Sequence, residues 1–145
     1  MEEILIDLTG GHRPGALAEI FEDLAASGID ILNVAAAVSV QLEPGAPVAI
    51  ITDNTQAAYD VLFYDWGAAD GRPSGRPLEC MHVRPVHTAT IPDRPGSLAE
   101  LTRKICDEGE NITSMYVLNT RPSSGVEIGY TVESDGDISV DYQNR

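Results

Sequence analysis

The chain spells one short pattern twice, and that repetition limits its fold more than any other feature. His12-Arg13-Pro14-Gly15-Ala16-Leu17-Ala18-Glu19 recurs as Asp93-Arg94-Pro95-Gly96-Ser97-Leu98-Ala99-Glu100, offset by 81 residues. The register then holds without a gap, Gly28 matching Gly109 and Ile31 matching Ile112. Eight of the nineteen positions from Arg13 to Ile31 are identical in the second copy. Two copies of one small unit within 145 residues imply a pseudo-symmetric pair, whose function usually forms at the seam between the copies.

Each copy has the same punctuation. In the first, residues 4–8 read as a short buried strand and 10–15 as a loop dense in turn residues. Leu17, Ile20, Phe21, Leu24 and Ala25 follow at helical spacing, and Gly28 closes that helix as a left-handed cap. Residues 31–40 and 48–52 read as strands separated by the turn Glu43-Pro44-Gly45-Ala46-Pro47. Residues 55–66 read as a second helix, 67–77 as a loop and 78–83 as a final strand. The first unit, 1–85, is therefore β-α-β-β-α-β. The second, 86–145, begins almost without a linker. A strand at 86–91 leads into a helix striped by Leu98, Leu101, Ile105 and Cys106 and capped at Gly109. Strands at 112–118 and 126–132 flank a turn at 121–125. The repeat then runs short, with 33 residues after Thr52 in unit one (53–85) but 13 after Val132 (133–145). The second copy is expected to lack its last helix. After the turn Ser134-Asp135-Gly136-Asp137, the alternation of Ile138-Ser139-Val140-Asp141-Tyr142 reads as a strand.

Charge narrows the partners. Twenty-three acidic residues against nine basic ones give a net charge of −14, and Lys104 is the only lysine. Such a surface repels phosphate backbones and anionic lipid, so neither nucleic acid nor membrane is an expected partner. No run approaches the length of a bilayer span and no secretory leader is visible, so a cytoplasmic location is expected. Cys80 and Cys106 are too few for a disulfide framework and read as reduced thiols. Phosphate-cradling, dinucleotide-binding and nucleophile-elbow patterns are all absent, so no enzyme activity and no cofactor are expected. Cys80, His82 and His87 form the only metal-like cluster. On one straight strand the two histidines point to opposite faces, so no metal site is expected.

Arg-Pro-Gly-x-Leu, followed thirteen residues after the glycine by Gly-x-Asn-Ile, resembles the ACT domain. The second copy carries the pattern best, in Asp93-Arg94-Pro95-Gly96-Ser97-Leu98 and Gly109-Glu110-Asn111-Ile112. The first departs from it, with His12 at the Asp93 position and Asp30 at the Asn111 position. The resemblance spans nearly the whole chain. It implies an α+β protein of two ferredoxin-like βαββαβ units pairing side by side into one antiparallel sheet. In that family small effectors, most often amino acids, bind where the loop after the first strand of one domain meets the second strand of its neighbour. Carried over, the ligand-binding residues are Asp93, Gly96, Ser97, Leu98 and Asn111, with His12, Gly15, Ala16, Leu17 and Asp30 as counterparts. The chemistry is apt. Uncapped N–H groups at a helix start suit a carboxylate, an aspartate accepts from an ammonium group, and an asparagine both donates and accepts. The same residues also read structurally, Pro14 and Pro95 as helix starts, Asp93 as a cap and Asn111 as a strand-end tie.

A non-enzymatic regulatory module that binds an amino acid or similar small carboxylate at the seam of two ACT-like domains is the expected function. The alternative is an accessory interaction subunit that regulates a partner enzyme by protein contact, its own pocket vestigial. A homodimer is expected, because an incomplete second unit leaves sheet surface uncovered.

Overall fold

The computed structural model describes residues 1–7, 15–36, 47–65, 81–121 and 125–143, and the structural statements below concern those residues. The first unit runs β1 (Glu2–Asp7), α1 (Ala16–Ala26), β2 (Ile31–Ala36), β3 (Pro47–Thr52), α2 (Thr55–Asp60) and β4 (Met81–Pro85). One wider π-helical turn, Val61–Asp65, extends α2. The second unit runs β5 (His87–Ile91), α3 (Ser97–Asp107), β6 (Ile112–Arg121) and β7 (Gly125–Val132). A 3-10 turn, Glu133–Asp135, and a short helix α4 (Ser139–Gln143) follow. The repeated βαββ core of both units stands as expected from the sequence. His12, Cys80, the turn at 43–46, the loop at 67–77 and most of the 121–125 turn lie outside the described residues.

Both long helices end by the same device. Gly28 (φ 72°) and Gly109 (φ 86°) adopt left-handed backbone that a β-carbon would disfavour. This lets the Ile29 N–H reach back to the Leu24 carbonyl, and the Glu110 N–H to that of Ile105. The reversal sends each chain straight into its next strand.

All strand pairing is antiparallel. The first sheet has the order β2-β3-β1-β4, the second β5-β7-β6. Pairings such as Ile4 with Ile50 and with Val83 put β1 in the middle of its sheet. Ile4, Ile6, Val48 and Ile50 then meet Ile20 and Leu24 of α1 and Tyr59 and Leu62 of the α2 layer, all buried.

The single continuous sheet expected from the resemblance is not what forms. The hydrogen-bond ladders make two sheets, and these meet face to face. Ala49, Ile51 and Leu5 on one face of the first pack against Tyr116 and Leu118 of the second, with Val86 at the join. The physical reason lies in β3. Its run Val48-Ala49-Ile50-Ile51 is apolar on both faces, the signature of a strand buried on both sides. Helices cover one face, so the second sheet must cover the other. Edge strands β2 and β6 touch through a side chain, Asn33 Nδ2 donating to the Val117 carbonyl at 2.9 Å, and not through a ladder.

The segment after β7 also departs from expectation. Residues 138–142 form no strand. The chain leaves the second unit and runs along edge strand β4 of the first, where the Asp137 carboxylate accepts from the Val83 N–H and the Ile138 N–H donates to the Val83 carbonyl. Helix α4 then seats Tyr142 in the first unit's core against Tyr59, ring centroids 5.8 Å apart. Gln56 donates to the Tyr142 carbonyl and Gln143 to the Tyr59 hydroxyl. The second unit's only remaining helix, five residues long, is thus spent on its neighbour, and the second sheet lacks a fourth strand beside β5.

Candidate functional site

Four of the sequence-derived site residues come together. Asp93, Gly96, Ser97 and Leu98 line one open cleft of about 380 Å³ on the outer face of the second sheet. Gly96 holds φ at 93° as the residue before α3, and no side chain caps the helix there. No side chain answers the positive partial charge of the α3 start beside the cleft, although the Ser97 N–H donates to the Arg94 carbonyl at 3.3 Å. Ser97 is 3% exposed, and its hydroxyl has no hydrogen-bond partner. Opposite stand Val117 and Thr120 of β6 and Val126 and Ile128 of β7, and the floor is aliphatic. At the rim Arg94 reaches back to Glu100, N to O 3.3 Å, both side chains exposed.

Asn111 is not among the residues around this cleft. Ile91, just before the loop, pairs with Val126, whereas Ile112 pairs with Val132 at the far end of the same strand. Six residues of strand separate the two ends, about 20 Å at the usual rise. Asn111 instead donates from Nδ2 to the Glu133 carboxylate at 2.8 Å, and its carbonyl accepts from the Glu133 N–H. Asp30 sits in the matching tie of the first unit. Its N–H donates to the Asp53 carboxylate at 3.0 Å and its carbonyl accepts from the Asp53 N–H. In both units this position joins the start of one strand to the end of the next. In the first unit Gly15 (φ 88°) precedes α1 as Gly96 precedes α3, and Ala16 is buried at the helix start. Leu17 packs against the first core. His12, the first unit's counterpart of Asp93, lies outside the described residues.

Two polar clusters were not foreseen from the sequence. Glu3, 1% exposed, lies at the seam between the sheets. Its carboxylate accepts from the Ser114 hydroxyl at 2.6 Å and from the Tyr116 hydroxyl. Burial, reinforced by the Glu3 carboxylate, pushes the Tyr116 phenol well above its ordinary value. Ser114 also meets Thr131, which bonds Thr113 at 2.7 Å. Alternation places Glu3 on the face opposite Ile4 and Ile6, which by itself reads as a wet face. Only the second sheet's arrival makes it a buried one.

The second cluster ties down the segment after β7. His82 Nδ1 lies 2.7 Å from Asp137, and His87 Nε2 lies 2.5 Å from Asp135. The histidines thus meet carboxylates and not each other. Partial burial would raise the Asp137 carboxyl, but hydrogen bonds from His82, the Val83 N–H and Ser139 prevail and hold it down at about 2. Among the described residues, no group of three or more His, Cys, Asp or Glu side chains is placed to hold a metal ion. Nor is any described helix long and apolar enough to cross a membrane.

No family model matches the sequence, and no curated protein matches it. Solved structures do match the fold. A protein from Bacteroides thetaiotaomicron superposes with a TM-score of 0.65 at 19% identity, covering 91% of this chain and 78% of its own. The regulatory subunit of aspartate kinase from Thermus flavus gives 0.61 at 19% identity, covering 97% and 85%. The ligand-free regulatory subunit from Thermus thermophilus gives 0.59 at 20% identity, covering 90% and 80%. The chain has a tandem ACT-like fold.

Proposed function

We propose that the protein is a non-enzymatic regulatory module that binds a small effector, an amino acid or related carboxylate, at the loop between β5 and α3. The observation that carries this reading is the cleft itself. The Pro-Gly loop, an uncapped helix start and the unpartnered Ser97 hydroxyl converge beside Asp93, so a carboxylate and an ammonium group each find a complement. Two of the structural matches are named as regulatory subunits, which supports a regulatory and not a catalytic role.

The cleft faces away from the seam within the chain. Any contact between the Asp93 loop and an Asn111 or Asp30 strand start therefore comes from a second copy, and the module acts as a homodimer in the cytoplasm. The accessory-subunit reading has one observation in its favour: Leu98 and Val117, beside the cleft, are 46% and 54% exposed, as a protein contact would require.

The experiment is a set of melting curves of the full chain with each of the twenty amino acids at millimolar concentration. A ligand that binds only the folded state stabilises it by mass action, about 2.7 kcal/mol at a hundred times its Kd. A raised midpoint that Asp93→Ala reduces supports the effector site. A midpoint that none of the twenty moves removes it and leaves the accessory-subunit reading.

A further inference from the structure

We infer that the cleft selects effectors with an aliphatic side chain, of the valine, leucine or isoleucine type, over charged and hydroxylated ones. The inference rests on the effector-binding reading above and concerns what it leaves open, the class of ligand.

Apart from Thr120, the polar groups of the cleft lie on one side, in the 92–97 loop and the start of α3. They suffice for the two charged groups that every free amino acid shares. The carboxylate meets the first-turn N–H groups beyond Ser97, whose own N–H is held by the Arg94 carbonyl, and the buried Ser97 hydroxyl lies beside them without a partner. Asp93, exposed at the mouth, accepts from the ammonium group. The one further charged group beside the cleft, Arg94, is engaged with Glu100 at the rim, N to O 3.3 Å.

The opposite wall is what a side chain would touch. It presents Val117, Val126 and Ile128, with Thr120 as its one polar residue, and Leu98 and Ile91 close the sides. A carboxylate or ammonium set against this wall would lose water and gain no partner. A branched hydrocarbon would lose only its apolar hydration, and would cover Val117 and Leu98, which are otherwise half in water. The volume, about 380 Å³, lies at the small end of ligand sites, of roughly 300–1,000 Å³, and suits a single amino acid better than a dipeptide or nucleotide.

The other polar clusters are already satisfied. The Glu3 network is enclosed at the seam, with no opening to the cleft face. The His82 and His87 pairs are already matched to Asp137 and Asp135.

The test is calorimetric titration of the full chain with leucine, isoleucine, valine, alanine, threonine, aspartate and lysine. The aliphatic trio should bind tightest, with affinity falling roughly tenfold for each methylene removed toward alanine. Threonine, close to valine in shape, should bind at least about tenfold more weakly than valine, because its hydroxyl meets a methyl-lined wall. Val117→Asp and Val117→Lys should both weaken leucine binding, since either charge spoils apolar cover. Val117 is exposed, so neither variant threatens the fold, and circular dichroism checks this. Tighter binding of aspartate, lysine or threonine than of valine overturns the inference while leaving the effector reading intact. So does a Val117→Lys variant that binds leucine better than the parent chain, because attraction for the carboxylate would then outweigh the wall. Absence of binding by all seven, and by the rest of the twenty in the melting series, overturns the reading and the inference together.

Discussion

Glu3 shows how much one residue can ask of its surroundings. A buried carboxylate costs several kcal/mol unless its oxygens are met, and here the second unit meets them with Ser114 and Tyr116. Tyr116→Phe removes one donor and leaves the carboxylate short of a partner, so it should destabilise by about 1–3 kcal/mol in urea unfolding. A loss below about 0.5 kcal/mol would mean that Ser114 alone satisfies Glu3. Asp137 makes a different demand, one that depends on pH. Its carboxyl falls from an ordinary 3.8 to about 2 in the folded chain, so the unfolded chain binds the proton more readily. The associated stability is therefore complete above about pH 4 and is lost as pH falls toward 2. Asp137→Asn should flatten the acid limb of the stability profile in that window, and an unchanged limb would show that other carboxylates set it. At this scale the sequence was informative where a residue acts through its own backbone. Gly28 and Gly109 stand at positive φ, where their spacing placed them. It was silent on Glu3 because alternation alone puts that residue on a wet face, and nothing local reveals a partner more than a hundred residues away.

Helices α1 and α3 were legible because eleven residues carry three turns of apolar stripe and a glycine stop. The segment 138–142 was not, because five residues satisfy two periods at once. Ile138, Val140 and Tyr142 alternate as a strand would, but Ile138 and Tyr142 are also one helical turn apart. The structure decides for the helix: Ile138 and Tyr142 turn inward, and Val140 is 56% exposed. Asn111 was read toward the Asp93 loop for a related reason. A strand start is visible in sequence, but which end of the sheet it occupies follows only from β5 and β6 running parallel on either side of β7. The arm that α4 terminates should be a stabilising element of the first unit. Tyr142→Ala removes an aromatic ring from that core and should cost about 3 kcal/mol. Hydrogen exchange should show the loss at α2 and β4, and uniform protection there would mean the arm merely rests on the surface.

For the molecule as a whole, fourteen net negative charges repel one another more in the compact state than in the unfolded one. Added salt screens that repulsion within about 10 Å at 0.1 M, so the melting midpoint should rise with sodium chloride. A flat or falling midpoint would show that self-repulsion does not limit stability, and a parallel series in sulfate separates screening from stronger apolar burial. Edge strands β2 and β6 end their sheets on one side of the molecule and present Leu32, Val34 and Val117 to water. Light scattering at micromolar concentration should therefore report a dimer or larger, and a strict monomer would contradict this. The repeat made the two-unit plan legible. The face-to-face stacking was legible only in β3, whose apolar run has no wet side. The crossing arm, finally, sets translation against folding. The first unit emerges from the ribosome first, yet part of its core lies in residues 138–142, which are synthesised after the second unit's last strand. Until then Tyr59 lacks its Tyr142 neighbour, and Val83 lacks its bonds to Asp137 and Ile138. A stop codon just after Val132 would keep every described strand, and the loss would fall on the half made first.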